Sequence, residues 1–175
     1  MVRVAFDYRF LVNLPAGADA AYRWATDYRP DDPARMGQVG RRRIERLAEG
    51  TLLLTDAVRT PTGTVTKRRL VRLRPRQRSW TNTHLAGPTV HSQFLYRIVP
   101  RGPRRSTLEF IGLQVERAPR PLSRAELAAR ARTVAREDAA TWRRLVREMA
   151  QDLAPPRGRS GTPVRRPRAA RPKSR

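Results

Sequence analysis

Residues 106–153 read STLEFIGLQVERAPRPLSRAELAARARTVAREDAATWRRLVREMAQDL, and within this stretch the chain changes period. Residues 106–117 read as a strand, which stops at Ala118-Pro119-Arg120-Pro121. Proline lacks an amide hydrogen and pushes its predecessor toward extended backbone, so this segment ends a strand without yet beginning a helix. Ser123 then precedes Glu126 by three residues, the spacing of a capping box that satisfies orphan amides at a helix start. Beyond it Leu127, Ala131, Val134, Asp138, Trp142, Leu145, Met149 and Leu153 recur at spacings of 4, 3, 4, 4, 3, 4 and 4. That is one face of a helix of about 30 residues over 122–153, roughly 45 Å long at the standard rise. Ala154-Pro155-Pro156 ends it.

Upstream of this switch the chain reads almost entirely as strands. Val2, Val4, Phe6, Tyr8, Phe10 and Val12 share one parity, and Arg3, Asp7, Arg9 and Asn13 the other. Strict alternation of this kind predicts a half-buried strand. It stops at Leu14-Pro15-Ala16-Gly17, and a short amphipathic helix follows from Ala18, with Asp19 placed to favour its positive end. Residues 29–37 read as a loop with a helical turn. Six further strands are predicted over 39–48, 51–59, 64–73, 77–85, 90–99 and 106–117, separated by Gly- or Pro-bearing turns. No crossover helix interrupts them, so the seven strands form an antiparallel sheet. The fold class is α+β, with one domain over 1–153.

Composition narrows the chemistry. The chain carries 38 Lys+Arg against 15 Asp+Glu, a formal charge of +23. All the acids lie between Asp7 and Asp152, and residues 154–175 hold eight basic groups, five prolines and no acid. That tail lacks apolar periodicity and is expected to be disordered, with non-specific affinity for polyanions such as nucleic acid or an anionic membrane. Only Lys67 and Lys173 are lysines. A GC-rich genome explains such arginine use as readily as a need for bidentate phosphate contacts does. The absence of cysteine excludes disulfides, thiolate metal sites and Cys nucleophiles. His84 and His91 have no metal-ligand spacing, and no apolar run approaches the roughly 20 residues of a membrane span. The opening residues alternate instead of forming the apolar core of a signal peptide, so the expected compartment is the cytoplasm. Gly37-Gln38-Val39-Gly40 precedes a strand and is too short for a phosphate loop, and no serine sits in a nucleophile elbow. No cofactor is expected, and the sequence sets no oligomeric state.

The order of elements resembles the helix-grip superfamily, which includes START domains, Bet v 1-like proteins and polyketide cyclase/dehydrase-like proteins of the SRPBCC group. The likeness rests on VAFDYRFLVNLPAGADAAYRWATD at the start, FLYRIVPRGPRRSTLEF in the middle and EDAATWRRLVREMAQDL at the end. It covers about residues 2–153, and it implies a sheet curved around the last helix with a cavity between them. In relatives that cavity takes apolar or amphipathic molecules. Carried to this chain, the implication is a pocket near Tyr8, Phe10, Phe94, Tyr96, Asp138 and Trp142 that binds a small apolar or amphipathic partner. The same aromatic residues would equally well fill a solid core.

Asp138 is the most informative single residue, because it interrupts the apolar helix face between Val134 and Trp142. An unpaired carboxylate there costs several kcal/mol, roughly, so it either faces a polar cavity or lies at the edge with Ala135 and Ala139 turned inward. His84, beside Asn82 and near Ser92, is the second acid–base candidate, although a one-residue change of register would reverse its face. Tyr8 and Tyr96 can each offer a hydroxyl from an apolar wall. Lys67 and Arg69 share the parity of Val65, Val71 and Leu73; their expected placement is exposed, the alternative being that one of them points inward to a ligand carboxylate or to Asp138. Two functional classes follow. One is a binding module for a small amphipathic molecule; the other is a cyclase-like enzyme using Asp138 or His84. A third reading rests on the basic tail alone.

Overall fold

The alternation that opens the chain produces β1 (Val2–Leu14), whose Val4, Phe6, Tyr8, Val12 and Leu14 are buried, with Phe10 half-buried on the same face, while Arg3, Ala5, Asp7, Arg9, Leu11 and Asn13 face solvent. A computed structural model describes residues 1–154, so the expected disorder of the tail concerns residues that, beyond Ala154, lie outside those described. After β1 come the short helices α1 (Ala18–Ala25) and α2 (Asp32–Arg35). The meander follows as β2 (Gly40–Ala48), β3 (Thr51–Thr60), β4 (Gly63–Arg74), β5 (Ser79–Ala86), β6 (Gln93–Gly102) and β7 (Arg105–Ala118). The last element is α3 (Arg124–Asp152). Its start has the full capping box: the Glu126 amide donates to Ser123 Oγ, and the Ser123 amide donates to the Glu126 carboxylate.

The architecture is thus the α+β arrangement that the sequence implied, seven antiparallel strands around one long helix. The largest shift in a strand start is that of β6, which begins at Gln93 instead of residue 90. The delay has a local cause. Gly87 and His91 both have positive φ, and the buried Ser92 turns its hydroxyl to the backbone of Val115. Residues 87–92 therefore form a turn held to β7 before pairing resumes.

Strand order is β1-β7-β6-β5-β4-β3-β2, so consecutive elements β1 and β2 lie on opposite edges of the sheet. The segment joining them, with α1 and α2, must cross the width of the concave face. It meets α3 there, and the two together close a space over the sheet. Two apolar clusters fill most of that space. One is built on Val12, Leu14, Leu54, Trp80 and Met149, the other on Phe6, Tyr8, Phe94, Phe110 and Val134.

Candidate ligand cavity

Register decides what faces inward, and it sorts the concave face into bands. Trp80, Tyr96, Phe110 and Phe10 are successive cross-strand partners on β5, β6, β7 and β1. Trp80 stacks on Tyr96 at 4.8 Å and Phe10 on Phe110 at 4.4 Å, and an edge contact of 5.0 Å between Tyr96 and Phe110 joins the two pairs. The adjoining row is Asn82, Phe94, Gly112 and Tyr8. A Cβ on Gly112 would lie 2.8 Å from the Phe110 ring, so the missing side chain gives the neighbouring rings their space.

Toward the other edge the inward band is charged. Arg42, Asp56 and Lys67 are cross-strand partners on β2, β3 and β4, and Arg69 faces His84 on β5. Arg42 grips Asp56 with two nitrogens, Nε to Oδ1 at 2.7 Å and a second contact at 3.1 Å. It also pairs with Asp32 at the start of α2, and Arg69 pairs with Asp56. Arg42 and Asp56 are both buried. Removing one member of such a network leaves an uncompensated buried charge, at a cost of about 3–5 kcal/mol. The Asp56 carboxyl is held below its ordinary range; burial opposes this, but the two guanidinium groups prevail.

Between the aromatic band, the charged band and α3 lies a cavity of about 250 Å³. For scale, an apolar cavity of about 150 Å³ accepts one benzene ring. Trp80, Phe94, Tyr96 and Trp142 supply its rings, and Arg42, Arg69, Asn82, His84 and Asp138 its polar groups. The α1–α2 segment contributes Trp24, Tyr28, Arg29, Asp32 and Arg35. That segment is tied to the end of α3 through one carboxylate. Asp152 accepts from Trp24 Nε1 at 2.9 Å, Arg29 at 3.0 Å and Arg35 at 2.8 Å. These donors, the Trp24 indole first, push Asp152 down to about 2.

Of the residues that the sequence singled out, Phe94, Tyr96, Trp142, His84 and Asp138 line the cavity. Tyr8 and Phe10 lie behind its wall, in the packed rings. Tyr8 still reaches the chemistry, because its hydroxyl donates to Asp138 Oδ2 at 2.5 Å. Burial raises the Asp138 carboxyl above its ordinary value, against the lowering effect of that hydrogen bond. Burial and the adjacent Asp138 charge together raise the Tyr8 phenol. Asp138 borders the cavity, while Ala139 is buried and Ala135 half-buried beside it on the helix. His84 is pushed down to about 4, by burial first and then by Arg69 and Lys67, so it is neutral at pH 7. Its Nδ1 lies 2.7 Å from Thr89 Oγ1, and its ring meets Phe94 edge-on at 4.8 Å.

The expected exposure of Arg69 and Lys67 is corrected. Arg69 retains 16% of its side-chain exposure and lines the cavity, because β4 is an interior strand and Asp56 draws the guanidinium inward. Lys67, on the same face, is half-buried. The sequence reading passed over Asp56, Arg42 and Tyr28. The signal for Asp56 was available, since it shares the parity of Leu52, Leu54 and Val58 and interrupts an apolar strand face as Asp138 interrupts the helix. Among the described residues no cluster of His, Cys, Asp and Glu could hold a metal, and no helix is long and apolar enough to cross a membrane.

A curved antiparallel sheet gripping a C-terminal helix over a lined cavity is the helix-grip fold. No protein-family profile and no curated sequence matches the chain. Solved structures do, and they establish the fold. One is the Zhui aromatase/cyclase from Streptomyces sp. R1128, with a TM-score of 0.70 at 17% identity over 86% of this chain and 97% of that one. A START superfamily protein from Mycobacterium smegmatis gives 0.59 at 18% identity, over 84% and 96% of the two chains. Ara h 8.0201 gives 0.63 at 10% identity, over 85% and 99%.

Proposed function

We propose that the cavity binds a small amphipathic molecule, one or two rings in size, through stacking at one end and polar contacts at the other. One observation carries this reading. Of the four buried side-chain polar atoms without a partner among the described residues, three belong to cavity-lining residues: Arg69 Nε, Asn82 Oδ1 and the Tyr28 hydroxyl. Each orphaned group costs about 1–3 kcal/mol when buried, and three gathered around one cavity favour a polar partner there. A ligand oxygen that accepts from Arg69, beside a hydroxyl or amine that donates to Asn82, would satisfy two of the three. Rings packed against Trp80, Tyr96 and Trp142 would supply the apolar contribution. The fold likenesses agree in kind, since the similar structures bear the names of an aromatase/cyclase and a START protein.

The Tyr8–Asp138 contact favours a second reading. A buried carboxyl with a raised pKa, fixed by a phenol at 2.5 Å, is a proton donor and acceptor on a cavity wall. With neutral His84 on the sheet side of the same cavity, these groups could promote an enolisation or dehydration of the polyketide-cyclase type.

Native mass spectrometry of the protein purified from its own host tests the binding reading, together with quenching of Trp80 and Trp142 fluorescence by hydroxylated naphthalenes. Saturable quenching that weakens in Asn82→Leu and Arg69→Met is the expected result. Unsaturable quenching, with no co-purifying small molecule, would sink it. The cyclase reading fails separately if Asp138→Asn and His84→Gln leave turnover of a β-polyketone unchanged.

A further inference from the structure

The chain meets nearly every need for positive charge with arginine, since only two of its 38 basic residues are lysines. Lys67 is the one lysine among the described residues, and it lies on the concave face instead of the solvent face. Arginine stays protonated in proteins, whereas an amine can release its proton and act as a nucleophile. The surroundings of Lys67 favour that. Its cross-strand partner is Asp56, but both Arg42 and Arg69 already occupy that carboxylate. No ion pair or hydrogen bond from the Lys67 amine to a described residue satisfies it, although the residue is half-buried. Beside its stem lies Gly87, where a Cβ would come within 3.2 Å of Lys67 Cγ. Arg69, two residues along the same strand face and about 6.6 Å away, lines the cavity, whereas Lys67 itself stands just outside that lining, within the span of a lysine side chain.

Resting on the ligand-binding reading above, we propose that Lys67 captures a ketone or aldehyde carbon of the cavity's ligand as a reversible imine. The neutral amine adds its lone pair to the carbonyl carbon, forming the N–C bond as the carbonyl electrons move to oxygen. That oxygen takes up a proton to give a carbinolamine. Loss of the hydroxyl as water, which carries away both amine hydrogens in total, leaves the C=N bond. Asp138, which borders the cavity from α3, can supply the proton that assists this departure and regain it on hydrolysis. Burial and then the neighbouring Arg69 charge lower the Lys67 amine below its ordinary value, against the opposing pull of Asp56 and Asp138, which increases the free-amine fraction near neutrality. Water restores the amine and releases the ligand, so no oxidant or metal is involved.

The test uses the full chain, 6-hydroxy-2-naphthaldehyde as probe, cyanoborohydride to trap the imine, and peptide mapping to locate it. The corresponding alcohol, 6-hydroxy-2-naphthalenemethanol, has no carbonyl and serves as competitor. The expected result is labelling of Lys67 at least about tenfold faster than Nα-acetyl-lysine amide, because the cavity holds the aldehyde beside the amine. The alcohol should protect Lys67 while leaving the terminal amine reactive. Lys67→Arg should abolish the label yet still show saturable tryptophan quenching by the aldehyde. Saturable quenching with Lys67 labelled no faster than the model amine overturns the proposal and leaves the binding reading intact. Absence of saturable quenching by aldehyde and alcohol alike overturns both.

Discussion

His84 places a measurable pH dependence in one side chain. Its folded pKa lies near 4, below the ordinary 6.5, so the unfolded chain takes up a proton first as pH falls. The resulting stability is complete above about pH 6.5 and is lost as pH falls toward 4, up to about 3 kcal/mol in all. His84→Gln should flatten the melting temperature across that window relative to wild type, as differential scanning calorimetry would show. Asp138 works in the opposite sense. Its carboxyl is raised in the fold, so ionisation penalises the native state above the ordinary value of about 3.8. Asp138→Asn should therefore raise the melting temperature at pH 7, with the gain fading toward pH 4, while any proton transfer at that site is lost. An unchanged pH 7 melting temperature would show that Asp138 carries no burial penalty. This residue was legible in the sequence because a helix exposes its own period: one acid among seven apolar positions stands out. Its phenol partner was not, because Tyr8 lies 130 residues away and only the completed sheet brings it within 2.5 Å.

At the scale of elements, the carboxylate at the end of α3 is one of three polar links that join the α1–α2 segment to the grip, with the Arg42–Asp32 pair and the Arg144 contact to the Met36 carbonyl. Asp152→Asn would remove two ion pairs whose members keep 22–33% of their side-chain exposure, a loss of about 1 kcal/mol. The wider effect should be local: amide exchange should accelerate in residues 26–38 and stay unchanged in β3 and β4. The acid limb follows from the depressed carboxyl. Its contribution is present above about pH 3.8 and lost as pH falls toward 2. The sequence made the elements plain through their periods, the proline stop after β7 and the capping box of α3. It hid the pairing of Arg42 with Asp56 and of Arg69 with His84, because cross-strand register depends on the whole sheet and on two β-bulges. The Arg42–Asp56 network was therefore out of reach although His84 and Asp138 were not, and among the rings Phe94, Tyr96 and Trp142 were legible while Trp80 was not.

For the molecule as a whole, the charge is unevenly divided. Residues 1–153 carry 30 basic and 15 acidic groups, net +15, and 154–175 carry the remaining eight positive charges. Proteolysis with trypsin should stop at a stable core ending near residue 157, and a chain shortened to residue 154 should keep the melting temperature and the tryptophan quenching of the full protein. Its affinity for duplex DNA should fall. The slope of log affinity against log salt should become shallower by up to about 7, near 0.9 for each of the eight lost cations. Equal, weak binding by both chains at about 0.15 M salt would leave the basic extension without a polyanion role.

The position of β1 at the far edge of the sheet also governs the order in which the molecule can be made. Its partner strand is β7, joined to it from the Leu14–Ser106 pair to the Val2–Ala118 pair, and α3 packs on it later still. During synthesis, at about 5–20 residues per second, the first strand therefore leaves the ribosome several seconds before anything exists to cover Val4, Phe6 and Tyr8. The meander β2–β6 is free to form during that wait, since each strand pairs with its predecessor. Refolding should accordingly show early amide protection in β3–β5 and late protection in β1, on the millisecond-to-second scale of sheets dominated by distant pairings. Simultaneous protection of β1 and β4 in pulse-labelled exchange would contradict that order. A nascent chain that has not yet reached residue 105 carries an unpartnered aromatic strand, and that is the length at which a chaperone would bind it most strongly.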